Sequence, residues 1–436
     1  MTHDLIVIGA GPGGYEFAAK ACRQGFKVAI VERDSAGGTC LNRGCIPTKA
    51  LLASASVIRA AREGAAFGVE IESFKPRYGV AVARKNEIVG QLREGVMSAL
   101  AGVDYINGEA RFVAADTIEV NGEAYSAPRV VLATGSAPAR LPIPGSDLAV
   151  TSDELLEMTE LPSRVAIIGG GVIGMEFACI LHEFGADVTV IEYCKEILPP
   201  FDRDIAKRLR TALSRLGINI IVGASVTSIA QGQVTYEQRG KTLTIDTDLT
   251  VMAVGRRPVI PDGLEQLGLD VSRRGVTVDE NFATNIPGLY AIGDVNGLCM
   301  LAHAATAQGD RLLGHDVNLD VIPSAVFTMP ECAMVGLTEE QCKERSLDIA
   351  VAKTTFRSNG KAVAMGEADG MVKLIADRST RQIVGCHIMG PHAADLVQAV
   401  ADMMTARVTV DKLAMAVHGH PTLGETVKTA AEMLCK

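Results

Sequence analysis

The stretch DLIVIGAGPGGYEFAAKACRQGFKVAIVER, from Asp4 to Arg33, decides the fold. An apolar run, Leu5 to Ile8, meets a glycine cluster, Gly9-x-Gly11-x-x-Gly14. An amphipathic segment follows, ends at a glycine, and gives way to a second apolar run closing on Glu32. The order reads as strand, tight turn, helix and strand, a βαβ unit. The glycines permit the tight turn, the approach of a pyrophosphate and close helix–strand packing, and the helix N-terminus faces the phosphates. Glu32 stands eighteen residues after Gly14, where a carboxylate can accept hydrogen bonds from ribose hydroxyls. The glycine pattern alone is weak, but with strand, helix and acid in place a plain glycine-rich turn is the poorer reading.

The pattern recurs in RVAIIGGGVIGMEFACILHEFGADVTVIEY, Arg164 to Tyr193, with Gly169, Gly170, Gly171 and Gly174 in the turn and Glu192 at the strand end. An acidic residue there favours a free ribose 2′-hydroxyl and repels a 2′-phosphate, so NAD is expected rather than NADP. Arg203 lies nearby, but Glu192 holds the strand-end position. Two dinucleotide sites in one chain point to one bound flavin dinucleotide and one exchanging nicotinamide dinucleotide.

The rest of the chain sets limits on this reading. Its 436 residues allow two to four domains. A hydrophobic fraction of 48%, with 4% aromatics and no Trp, suits an α/β protein. The net charge of −9 argues against non-specific binding to nucleic acid or anionic membranes. Neither a secretory leader nor a membrane span is expected, and a reducing cytoplasm is the expected compartment. Four of the ten cysteines, Cys22, Cys179, Cys332 and Cys386, sit singly in apolar segments and read as small buried hydrophobes. The expected fold class is α/β, with two Rossmann-like domains and a C-terminal α+β domain. The expected boundaries are residues 1–145, 146–270, a segment 271–322 that returns to the first domain, and 323–436. In the last, strands at 371–376 and 382–388 and helices at 393–406 and 423–434 are expected.

Between the two fingerprints lies GGTCLNRGCIPTK, Gly37 to Lys49. On a regular helix Cys40 and Cys45 would be separated by a rise of about 7.5 Å. A disulfide tolerates roughly 7 Å between Cα atoms, so a loop or distorted first turn is needed, and Gly37, Gly38 and Gly44 can supply it. Pro47 suits a helix start just beyond, and a helix N-terminus stabilises a thiolate. Two unrelated buried thiols and half of a zinc site are the alternatives to a redox-active disulfide, but no further zinc ligands at a compatible spacing are evident.

This segment resembles the active-disulfide segment of the FAD-dependent pyridine nucleotide-disulfide oxidoreductases, and its Cys-Leu-Asn start and Ile-Pro-Thr-Lys end look most like the dihydrolipoamide dehydrogenases. The resemblance continues through VVLATGSAP (Val130–Pro138), AVGRRP (Ala253–Pro258), GLYAIGDV (Gly288–Val295), MLAHAA (Met300–Ala305), AVFTMPECAMVGLTEEQ (Ala325–Gln341) and HGHPTLGE (His418–Glu425). Stretches near residues 78–105 and 236–249 look shorter than in that family. The resemblance implies that FAD is held by Gly9, Gly11, Gly14, Glu32, Thr39, Lys49, Ala110, Thr134, Gly135, Asp294, Met300, Leu301, Ala302 and His303. It implies that NAD is held by Gly169, Gly170, Gly171, Gly174, Glu192, Val226 and Gly255, and that Glu176 pairs with Lys49 beside the flavin. Read without it, Asp294 is a turn carboxylate and Glu176 could equally be a charge on a solvated helix face.

The C-terminal HGHPTLGE has three readings: a capping box, Thr422-x-x-Glu425; a metal site using His418 and His420; and, from the resemblance, His420 as acid/base oriented by Glu425. Pro421 biases His420 away from helix. The resemblance implies a homodimer in which each disulfide meets the partner's His420, and oxidation by NAD of a dihydrolipoyl group on a protein of a 2-oxoacid dehydrogenase or glycine-cleavage system. Cys40 would be the interchange thiol and Cys45 the flavin-side thiol. The alternatives are another flavin disulfide reductase and a redox-sensing flavoprotein without turnover. Mercuric reductases carry a C-terminal vicinal cysteine pair where this chain has Cys435 alone, and an NADP-dependent glutathione reductase would want basic residues around Glu192.

Overall fold

The computed structural model describes residues 2–436. Apolar runs buried on both faces build two parallel sheets, as sheets covered by helices on each side require. The first orders its strands Leu289–Ala291, Val130–Leu132, Leu5–Ile8, Val28–Glu32 and Asp104–Asn107. The second orders them Asn219–Val222, Asp187–Glu192, Arg164–Ile168, Leu249–Met252 and Val150–Thr151. In each unit a three-stranded antiparallel meander precedes a central strand: residues 111–126 before Val130–Leu132, and residues 224–246 before Leu249–Met252. The duplication therefore extends well beyond the two βαβ segments legible in the sequence.

The crossings between units come earlier than expected. Leu141 and Ile143 already pack with Ala166 and Ile168 of the second unit. Leu264 and Leu269 pack with Ile6 and Val130 of the first, before residue 271. At Gly263, whose φ is +91°, an added Cβ would lie 2.1 Å from the Phe112 carbonyl oxygen, so the close return needs glycine.

The third unit is a five-stranded antiparallel sheet, ordered Ser324–Val326, Glu331–Gly336, Ile383–Gly390, Met371–Asp377 and Ile349–Thr355. Helices Ala393–Thr405, Val410–Met415 and Glu425–Leu434 pack their apolar residues into its core of Val335, Phe356, Leu374 and Ile388. The last helix begins at Glu425, two residues later than expected.

Two sets of ion pairs fix the units to one another. Along the helices Cys45–Glu63 and Val172–Glu183, Lys49 pairs with Glu176 at 2.8 Å and Arg62 with Glu183 at 2.6 Å. Between the second and third units, the Lys373 ammonium (side chain 1% exposed) contacts Asp202 (0%) at 2.8 Å and Asp204 at 3.0 Å, and within the third unit it also contacts Glu339 at 2.8 Å. Burial alone would push Lys373 down, but these carboxylates hold its pKa above the usual lysine value. Burial works against ionised Asp204 too, yet Lys353 and Lys373 bring its carboxyl down to about 2. Buried charges of this kind are tolerated because they are paired.

Candidate active site

The two thiols meet at a break between helices. A short helix, Gly38–Arg43, ends at Gly44, whose φ of −144° and ψ of −113° are not helical, and a long helix, Cys45–Glu63, starts at once. The distortion expected from the spacing is present. The long helix, however, begins two residues before Pro47, which makes Cys45 its first residue. An added Cβ at Gly44 would lie 2.9 Å from the Thr39 carbonyl oxygen and 3.3 Å from the Cys40 Cα, so glycine lets the two turns close up.

The two thiols act on each other's ionisation. Interaction with Cys40, aided by the Lys49 charge and opposed by burial, brings Cys45 down to about 7. Interaction with Cys45, together with burial, pushes Cys40 far above the usual thiol range. In the reduced pair Cys45 is therefore the thiol that ionises first and Cys40 the one that stays protonated, as expected for a cysteine at a helix N-terminus.

Asn42 holds this turn, a task the sequence reading missed. Its Nδ2 donates to the carbonyls of Gly38 (2.9 Å), Ala36 (3.1 Å) and Ser35 (3.3 Å), and its Oδ1 accepts from Arg93 Nε (3.0 Å) and Nη2 (2.7 Å). Arg93 was not singled out either.

Glu176 is 3% exposed, which rejects the solvated-face reading. Lys49 Nζ donates to both its oxygens, at 2.8 and 2.9 Å, and the Phe327 amide donates to Oε1 at 3.0 Å. The ammonium also lies 4.5 Å from the Phe327 ring centre. One charge pair thus joins the redox helix to the fingerprint helix of the second unit and to a strand end of the third.

In the first fingerprint the helix Pro12–Arg23 starts at Gly11 with no side-chain cap, which leaves its amides open to an anion. An added Cβ at Gly14 would lie 1.9 Å from the Gly9 carbonyl oxygen. Glu32 is buried and accepts from Ala10 N at 2.7 Å and Asp34 N at 2.9 Å. Burial raises its pKa, with the Ala10 amide opposing. A cavity of about 200 Å³ opens here, lined by Gly9, Glu32, Ala110 and Thr134 together with residues 108–109 and 259–262, which the sequence reading did not assign. Thr134 Oγ1 donates to the Val259 carbonyl at 2.5 Å, and the Gly135 carbonyl accepts from Val259 N at 3.0 Å.

Further along the same face, Ser136 Oγ donates to Asp294 at 2.5 Å. Arg256 donates to Ser136 Oγ (2.8 Å), to the Ser136 carbonyl (2.7 Å) and to Thr39 Oγ1 (3.4 Å). Asp294 is thus wired to the residue preceding Cys40. Burial lowers the Arg256 pKa from its usual value. Met300 and Leu301 lead into the helix Ala302–Leu312, which packs on the first fingerprint helix. His303 is exposed, and its Nε2 donates to the Pro323 carbonyl at 2.7 Å.

The second fingerprint repeats the device. Gly171 is an uncapped N-terminus, an added Cβ at Gly174 would lie 2.0 Å from the Gly169 carbonyl oxygen, and Glu192 accepts from Gly170 N and Cys194 N, both at 2.6 Å. Gly255 takes φ +106° and accepts from Ala139 N at 2.9 Å. Val226 packs into the core with Ile168 and Ile191, so its side chain does not belong to the turn.

At the C-terminus His420 is 79% exposed, and its Nδ1 meets Glu425 Oε1 at 2.9 Å. Glu425 Oε2 accepts from Thr422 N at 2.8 Å, and this amide, with His420, lowers the Glu425 pKa. Only half of the capping box forms. Thr422 Oγ1 donates to the Gly419 carbonyl instead, because the helix starts at Glu425 and not after Thr422. His418 Nδ1 is within 3.2 Å of the Ala416 carbonyl, and no cluster of three or more metal-ligating side chains occurs among the described residues.

Of the other cysteines, Cys179, Cys332 and Cys386 are buried as expected. Cys22 is half-buried and its Sγ donates to the Gly102 carbonyl at 3.3 Å. Cys435 is exposed, beside Asp411 and Arg381.

A thiol pair between two dinucleotide-binding turns defines a disulfide oxidoreductase that works with two dinucleotides. Family models agree over most of the chain: residues 3–309 match the pyridine nucleotide-disulphide oxidoreductase model and residues 322–431 its dimerisation domain. The chain belongs to the pyridine nucleotide-disulphide oxidoreductase family. It is 38% identical to the dihydrolipoyl dehydrogenase of Chlamydia muridarum (97% of this chain, 94% of the other) and 37% identical to that of Geobacillus stearothermophilus (99% and 96%). Among solved structures it resembles the HOCl-induced flavoprotein disulfide reductase RclA from Escherichia coli, with a TM-score of 0.87 at 30% identity, covering 99% of this chain and 100% of the other. No helix among the described residues is long and apolar enough to cross a membrane.

Proposed function

We propose that the chain acts as a dihydrolipoyl dehydrogenase, a cytoplasmic homodimer that oxidises dihydrolipoyl groups on a partner protein and reduces NAD. The observation that carries this reading is the Cys40–Cys45 turn, tied through Lys49 and Glu176 to the second fingerprint helix, in a chain similar to dihydrolipoyl dehydrogenases over nearly its whole length.

The first fingerprint fits FAD. It offers free helix amides, a turn that only glycine can close, and the Glu32 cavity. Gly9, Gly11, Gly14, Glu32, Thr39, Lys49, Ala110, Thr134, Gly135 and Asp294 would hold it, with the segment Met300–His303 at the end of the same face. Bound FAD supplies the two-electron relay between the cysteine pair and NAD.

The chain's own residues handle thiols and protons. His420 of one protomer takes a proton from a substrate thiol at the partner's disulfide, and Glu425 keeps the imidazole in register. The substrate thiolate attacks Cys40 Sγ, the Cys40–Cys45 bond breaks, and Cys45 leaves as a thiolate stabilised by Lys49 and the helix N-terminus. A pKa near 7 makes Cys45 the better leaving group. The second substrate sulfur then attacks the substrate sulfur of the mixed disulfide. Substrate disulfide departs, the proton of the second substrate thiol passes to Cys40, the more basic thiol, and His420 keeps the first proton opposite the Cys45 thiolate. At the second turn Glu192 selects the 2′-hydroxyl of NAD. Assaying the FAD-loaded protein with dihydrolipoamide and NAD tests the reading. NADH should form at a rate that Cys45→Ser abolishes, and absence of NADH from the unaltered protein would overturn it.

A further inference from the structure

The acid/base residue stands on a poorly supported loop. His420 makes its side-chain hydrogen bond to Glu425, Glu425 is oriented by the Thr422 amide, and the loop from Ala416 to Gly424 is otherwise largely bonded to itself. One hydrogen bond reaches it from outside residues 413–428 among the described residues. Asn359 Nδ2 donates to the Thr422 carbonyl at 2.9 Å. The same Nδ2 donates to Thr426 Oγ1 at 3.1 Å, while Asn359 Oδ1 accepts from Ala362 N at 3.0 Å and caps a short helix. Thr354 Oγ1 donates to the Thr426 carbonyl at 3.0 Å and backs the same helix start. Thr354, Asn359 and Thr426 line a cavity of about 150 Å³ together with His420 and Glu425.

We infer that Asn359 is a positioning residue for His420, acting through Thr422 and Glu425. Thr422 is gripped on both of its peptide groups: its carbonyl by Asn359, its amide by Glu425. Removing the first grip frees Thr422 to move, and with it the amide that aims the Glu425 carboxylate. His420 has no wall of its own chain to replace that support, since four-fifths of its side chain is exposed. Misplacement of a catalytic group by about 1 Å can cost on the order of 100-fold. Asn359 touches neither the thiols nor a dinucleotide turn, so its effect should be confined to the dithiol half of the reaction.

This rests on the functional reading above. The test compares Asn359→Ala with Asn359→Ser, whose hydroxyl can still cap Ala362 N but is too short to reach Thr422 as well. In stopped flow, flavin reduction is followed with dihydrolipoamide and, separately, with NADH. Both variants should slow about 10- to 100-fold with dihydrolipoamide and be unchanged with NADH, and amide exchange across residues 416–426 should quicken. Wild-type rates with dihydrolipoamide in the Ser variant, or equal slowing with both reductants, would overturn the inference. An unaltered protein that dihydrolipoamide does not reduce would sink the functional reading and this inference together.

Discussion

The two glycine-rich turns are built alike and covered differently. In both, a carboxylate at the second strand end accepts from one amide of the turn and from the amide two residues after itself, and the third fingerprint glycine lies on the carbonyl of the first. Over the first turn, however, lies the helix Ala302–Leu312. An added Cβ at Gly13 would sit 3.0 Å from Ala305 Cβ and one at Gly309 would sit 3.3 Å from Phe17, with Lys20 bridging to Asp310 at 2.6 Å. The segment 259–262 closes the cavity beside Glu32. The second fingerprint helix is packed along its length by the redox helix, through Glu176 and Glu183, and its turn is met by a loop instead, where Leu198 N donates to the Gly170 carbonyl at 2.9 Å. A fingerprint thus fixes what kind of ligand binds, while the elements packed over it determine whether the ligand stays. On the proposed function the first turn retains FAD and the second exchanges NAD.

Substitution at the third glycine should break that comparison most severely. Gly14→Val places a side chain on the Gly9 carbonyl and is expected to give protein without flavin absorbance. Gly174→Val, against the Gly169 carbonyl, is expected to retain flavin and lose reduction by NADH. Flavin loss in both variants would erase the distinction. Between the turns, Cys45→Ser should abolish the long-wavelength charge-transfer band of the two-electron-reduced protein, whereas Cys40→Ser should stop turnover and keep a Cys45 thiolate beside the flavin. In the unaltered protein the band should be present above about pH 7 and fade as acid protonates Cys45. A band that strengthens as the pH falls would assign the thiolate to another group.

The second unit is tied to the third by a buried charge cluster. Lys373→Met leaves Asp202 buried without its cation, a loss of about 3–5 kcal/mol that a denaturation midpoint would reveal. An unchanged midpoint would mean that Asp202 finds water or another partner. The smallest effect expected is at the ribose. Glu192→Ala should narrow the preference for NAD over NADP by about tenfold, read from kcat/KM, whereas Glu32→Ala should leave that ratio alone. A ratio unmoved by Glu192→Ala would take this residue out of cofactor selection.

What the sequence disclosed was local. Gly9 to Glu32, Gly169 to Glu192 and the Cys40–Cys45 kink each lie within one short stretch, where glycine positions and spacing carry the geometry. What it hid depends on distant partners. Glu176 is a buried counter-ion because Lys49 reaches it across 127 residues, Asn42 finds Arg93 across 51, and Asn359 finds Thr422 across 63. Nothing in the periodicity around those residues encodes the pairing. The same limit explains the helix starts. Pro47 looks like the start of a helix and Thr422 like the cap of one, yet Gly44 lets the redox helix begin at Cys45, and the last helix begins only at residue 425, with Glu425 clasping the Thr422 amide.

A retained flavin that relays electrons from the dithiol to an exchanging NAD requires two separated half-reactions. Initial rates of NADH formation, measured on protein dialysed free of loose flavin while dihydrolipoamide and NAD are both varied, test this most directly. The expected result is a family of parallel double-reciprocal lines with no need for added FAD, the signature of ping-pong turnover. Intersecting lines, or activity that appears only when FAD is supplied, would contradict it.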